Sequence, residues 1–76
     1  MGKVKAAEIK VGTQLAEADG WLWDVVEIVK ETAATITIRI CSDYSSFENH
    51  LKVKKDGTKG GLIKTFRKSS ILFGIQ

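Results

Sequence analysis

Seventy-six residues, 43% apolar and 28% charged, fit one globular domain spanning 1–76 and are too rich in apolar side chains for a disordered chain. Twelve Lys+Arg against nine Asp+Glu give a net charge of +3, and no apolar run approaches the ~18–20 residues that cross a bilayer, so no membrane span is expected. With one cysteine (Cys41) and one histidine (His50), neither a disulfide within the chain nor a four-ligand zinc site can form, and no metal or cofactor is expected. A chain this short buries only about 60% of the surface it exposes when unfolded. Apolar packing must therefore supply the stability, and self-association into a homo-oligomer is one way to add to it. The lone cysteine, and a start (Met-Gly-Lys-Val-Lys-Ala) without the apolar core of a secretory signal, suggest a reducing, cytoplasmic setting.

Twenty residues are β-branched and none is proline, which favours strands over helices. In chain order, residues 5–8 suggest one helical turn. Ile9, Val11 and Leu15 flank Gly12 as a short entry strand. Residues 21–29 read as a longer strand of imperfect alternation, in which a bulge near Asp24 would bring Trp23, Val26 and Ile28 onto one face. Trp23 is then expected inside and Trp21 partly exposed. Glu31-Thr32-Ala33-Ala34 forms a hairpin tip, and residues 35–41 place isoleucine at every second position, the pattern of a half-buried strand. Ser45-Ser46-Phe47-Glu48 matches a capping box, so a helical turn is expected over 45–50, leading into a strand on which His50, Lys52 and Lys54 share a face. Asp56-Gly57 signals a tight turn. Residues 62–66 and 71–75 supply two more strands, with Phe66 and Phe73 assigned to the core. The sum is an all-β fold with one short helical turn: a small SH3-like antiparallel barrel of five to six strands.

Catalytic chemistry finds little support. Cys41 and His50 are the one conventional nucleophile–base pair, and a half-exposed thiol with a solvent-facing imidazole explains both residues more simply. Asp19, Asp24, Glu27 and Glu31 crowd the first half without forming an acid–base pair, and the glycine-lysine stretch at 55–62 lacks the spacing of a phosphate loop. The expectation is a protein that is not an enzyme.

Charge is more informative. Residues 1–38 carry four lysines against six acids, whereas residues 39–76 carry eight Lys/Arg against three acids. If 50–54 paired with 62–68, Lys52 and Lys54 would share a face that Lys64 and Lys68 join only if the register allows, Arg67 having the opposite parity, with Lys55 and Lys59 exposed at the tip; such a basic ribbon could track the phosphates of a nucleic acid or another polyanion. Lysines that keep a β-sheet surface solvated give the same pattern. Trp21, Tyr44 and Phe47 are the aromatic candidates for an interface anchor, which makes a protein-interaction module the alternative.

Ile9-x-Val11-Gly12-x-x-Leu15, then Trp23-x-Val25-Val26-Glu27-Ile28, then Thr35-Ile36-Thr37-Ile38-Arg39 resembles small SH3-like proteins encoded by bacteriophages and mobile elements, over residues 9–54. Thr58 stands where such proteins lead one to expect an acidic or aromatic residue. Their functions are mostly unknown, so the resemblance implies an accessory intracellular protein, transfers no site residue, and raises inhibition of a host protein or defence complex as one role.

Overall fold

Isoleucine at every second position makes the strand that fills the core most completely. In the computed structural model, which describes residues 2–18 and 20–76, Ile36, Ile38 and Ile40 of β4 (Thr35–Cys41) are all buried on one face. Five more strands join it: β1 (Gly2–Lys5), β2 (Gln14–Ala16), β3 (Leu22–Glu31), β5 (Leu62–Arg67) and β6 (Ile71–Ile75), with 3₁₀ turns at Ala6–Glu8 and Glu48–His50. All pairings are antiparallel, in the order β1-β6-β2-β3-β4-β5.

This all-β architecture agrees with the expectation, including the short helical turn near residues 5–8. The sheet is curled but not closed into a barrel. Flat, β5 and β6 would lie four strand spacings apart, about 19 Å. The chain passes between them in four Cα steps, which reach at most about 14 Å. Curling brings the two ends together, and the backbone N–H of Ala7, just past β1, donates to the carbonyl of Lys68, just past β5 (3.3 Å). Among the described residues no ladder joins β5 to β1, so both remain edges. Inside the curl, Val4, Ala6, Ile9, Leu15, Trp23 and Val25 pack with the β4 isoleucines, and Ile28, Leu62, Phe66 and Leu72 pack against that group.

Several local expectations are corrected. The β3–β4 register shifts between Val25 and Glu27 and again between Ile28 and Lys30, later than Asp24. The first extra residue is therefore Val26, Val25 joins Trp23 in the core, and Ile28, after the bulge, packs half-buried against it. Of the expected entry strand only Leu15 lies on a strand (β2), Ile9 following the 3₁₀ turn and Val11 lying in a turn, and β1, which carries a single buried residue, Val4, was not anticipated. Phe73 points to the uncovered side of β6, with Ile71 and Ile75, and is exposed. β6 itself lies between β1 and β2, paired with β1 from Ile71 to Gly74 and with β2 at Gly74 and Ile75.

The largest correction concerns the basic ribbon. β5 pairs with β4, from Thr35↔Arg67 to Ile40↔Leu62, and not with residues 50–54. Residues 42–61 form a long excursion between the two strands. Within it Asp56-Gly57 makes the expected tight turn, with Gly57 at φ 84°, but one bridge (Val53↔Lys59) is all the ladder it supports.

Candidate functional site: an aromatic cleft at one end of the sheet

Because Asp24 pairs with Cys41, the start of β3 and the end of β4 lie at the same end of the sheet. Trp21, just before β3, therefore meets the segment that leaves β4. The backbone N–H of Ser42 donates to the His50 carbonyl (2.7 Å), closing residues 42–50 into a compact loop. A cleft of about 340 Å³ opens there, lined by Trp21, Trp23, Ser42, Tyr44, Ser45, Ser46, Phe47 and His50. Trp23 is its floor at 3% exposure, while Trp21, Tyr44 and Phe47 stand at 68%, 96% and 65%. The expected inside and outside placement of the two tryptophans is thus observed, and the three anchor candidates converge on one opening.

His50 organises the floor. Its ring meets Trp23 edge-on, with centroids 4.7 Å apart, and tilts against Phe47 at 5.3 Å. Ser45 Oγ lies 2.9 Å from His50 Nδ1 and accepts the Phe47 N–H at 3.0 Å. This replaces the expected capping box. Glu48 turns instead to the N–H of Lys55 (2.9 Å), and Asp43 accepts the N–H of Lys52 (3.1 Å). Sequence reasoning missed the lining roles of Ser42, Ser45, Ser46, Trp23 and His50. The spacing of Ser45 and His50 was the one local signal, since a side-chain bond between them folds residues 45–50 back on themselves.

Cys41 and His50 form no pair. The thiol is not half-exposed but 1% exposed, beneath Gly60 and Gly61, and its closest polar neighbours are Arg39 (3.6 Å) and the Gly60 carbonyl (3.9 Å). Burial pushes its pKa above the ordinary thiol value. Gly61 sits at φ +95°, and a Cβ there would come within 2.6 Å of the sulfur, so the chain crosses the outer face of β4 only as glycine. Arg39 fastens this crossing. Nη1 donates to the Gly60 carbonyl (2.9 Å) and Nε to Glu27 (3.0 Å), and the Arg39 bond together with the nearby Lys59 charge holds the Glu27 carboxyl below the usual carboxylate range.

The seven candidate phosphate-binding cations do not gather on one ladder. Lys52, Lys54, Lys55 and Lys59 lie on the loop around the Asp56-Gly57 turn, and Lys59 reaches Glu27 (3.6 Å). Lys64, opposite Ile38 on the inward face of β5, pairs with Glu17 (3.3 Å). Arg67 and Lys68 lie toward the β3–β4 hairpin, at the end of the sheet away from the cleft, and Lys68 pairs with Glu31 (2.6 Å). Among the carboxylates singled out earlier, Asp24 accepts from Gln14 (2.8 Å), and Asp19 lies outside the described residues. Among the described residues no cluster of three or more metal-ligating side chains occurs, and no helix is long and apolar enough to cross a membrane. Compared with known protein families, with curated proteins and with solved structures, the chain matches none.

Proposed function

We propose that this chain is a non-catalytic interaction module whose contact surface is the aromatic cleft, with a protein segment as its partner. The convergence of Trp21, Tyr44 and Phe47 on one opening carries this reading. Exposed aromatic rings around a partly buried floor are the arrangement from which interfaces draw most of their binding energy, because each ring buries a large area while fixing few torsions. Selection of displayed peptides on the immobilised protein, repeated on Trp21→Ala and Tyr44→Ala, tests it. Peptides enriched on the wild type are expected to lose at least ~30-fold in affinity on Trp21→Ala, the equivalent of about 2 kcal/mol. Thermal melting checks that the variants fold. Absence of enrichment, or enrichment indifferent to both substitutions, overturns the proposal.

Contact with a polyanion is the second reading. It is supported by Lys52, Lys54, Lys55 and Arg67, which have no carboxylate within salt-bridge distance among the described residues. Four such cations engaging phosphates would give a salt-dependence slope of roughly −3 to −4. Ion pairing of Lys59, Lys64 and Lys68 leaves fewer cations for that role, which is why the cleft is preferred. Oligonucleotide titration at about 50 mM salt separates the two, because binding that tracks the lysines and ignores Trp21 belongs to this second surface.

A further inference from the structure

The free edge of β1 is a second surface, separate from the cleft. Gly2–Lys5 pairs with β6 on one side, and among the described residues no ladder joins it to β5 on the other. Register decides which groups that edge presents. The Ala6 N–H donates to the Ser70 carbonyl (2.9 Å), continuing the β1–β6 ladder by one pair. Hydrogen-bonded and non-bonded pairs alternate along an antiparallel ladder. Val4↔Leu72 is therefore a bonded pair, whereas Lys3↔Phe73 and Lys5↔Ile71 are not. The backbone N–H and C=O of Lys3 and Lys5 thus point away from β6, toward the open side. The next N–H of that set, on Ala7, already meets the Lys68 carbonyl across the curl (3.3 Å), so pairing of this edge starts at one end and stops there. An open hollow of about 540 Å³ lies alongside and takes in all four residues of β1.

We propose that this edge takes an acidic, extended segment of a partner protein as an added antiparallel strand, the sense of every pairing between strands in this sheet. The segment carries Glu or Asp opposite Lys3 and Lys5 and an apolar side chain between them. In such additions main-chain bonds supply affinity and alternate side chains select the partner. With Val4 turned into the core, Lys3 and Lys5 stand on the outer face, beside the exposed Phe73 and Ile71. Neither lysine has a carboxylate within salt-bridge distance among the described residues. An added strand sets alternate side chains directly against them, where opposite charge stabilises and like charge destabilises. Its intervening side chain falls on the Val4 side, next to the core. A second copy is disfavoured by the same rule, because β1 paired with itself about Val4 sets lysine against lysine. Glu8, the one acid lining the hollow, lies past the end of β1 and disfavours an acidic pattern continued beyond Lys5.

The probe is an acetylated, amidated peptide of alternating glutamate and valine, titrated into the isotope-labelled protein. Two peptides are compared with it: one with lysine in place of glutamate, and one N-methylated at every glutamate, which keeps the charge but removes the N–H groups that would face β1. The glutamate peptide should shift the amide signals of residues 2–7 and 70–75 and slow hydrogen exchange at Lys3 and Lys5. It should bind roughly tenfold more tightly than the lysine peptide, and the N-methylated peptide should not bind. Lys3→Glu with Lys5→Glu should reverse the order of the first two peptides, with a dispersed spectrum reporting an intact fold. Binding that survives N-methylation is surface charge alone and overturns the proposal. So does absence of binding, which leaves the lysines as guards of the edge against pairing. Protection of Lys3 and Lys5 in a dimer of the peptide-free protein overturns it in favour of a second copy, and shifts confined to residues 42–50 overturn it in favour of the cleft.

Discussion

Arg39 illustrates how one side chain sets the fate of a long loop. It lies on the outer face of β4, where a strand residue would ordinarily meet solvent, yet the crossing at Gly60 and Gly61 buries it together with Cys41. A guanidinium in that position is tolerable because the Gly60 carbonyl and the Glu27 carboxylate both accept from it. Arg39→Met keeps the stem and removes the donors, leaving the Gly60 carbonyl under-satisfied. A hydrogen bond from a charged group contributes about 2 kcal/mol, so the loop should open roughly thirtyfold more often. The Cys41 thiol reports this directly. Its labelling by a disulfide reagent at pH 8 should be slow in the wild type and accelerate by that factor in the variant. Equal rates would contradict the clasp.

At the scale of elements, tightness of packing decides which strands tolerate change. Gly74 on β6 faces the backbone of Gln14 and Leu15 on β2, so a Cβ has no flexible neighbour to displace. Gly74→Ala should cost at least the upper end of the ~1–3 kcal/mol typical of overpacking in denaturant unfolding, whereas Gly2→Ala, with nothing within 4 Å, should change little. A loss below about 1 kcal/mol would argue against β6 lying between β1 and β2. Legibility of the elements follows similar physics. β4 was plain because a strand buried on one face writes a period of two into its isoleucines. β5 was legible as a strand, but its partner was not, since pairing is a long-range choice that local alternation does not encode. The alternation of Leu51 and Val53 is a loop pattern, with Leu51 half-buried and Val53 exposed. β1 escaped notice because only Val4 of its four residues enters the core, and Phe73 misled because nothing covers the outer side of β6.

For the whole molecule, curvature links the fold to its candidate function. The aromatic residues at 21, 44 and 47 could each be picked out as surface anchors, but their meeting depends on the register that sets Asp24 against Cys41 and on the loop closed by Ser42 and His50. The same curl spreads the cations. Lys64 reaches Glu17 across the inner face, and Lys68 reaches Glu31 at the far end, so the charge asymmetry of the two sequence halves is largely cancelled where they pack. What remains is a small open sheet whose long β4–β5 excursion carries both the aromatic opening at residues 42–50 and the lysines at 52–59. The most direct test of that arrangement is a two-dimensional NOE spectrum of the protein in solution. Cross-peaks from the His50 ring to both the Trp23 indole and the Phe47 ring are expected, since the ring centroids lie 4.7 and 5.3 Å away. A dispersed β-rich spectrum in which His50 contacts neither ring would contradict the cleft and the functional account built on it.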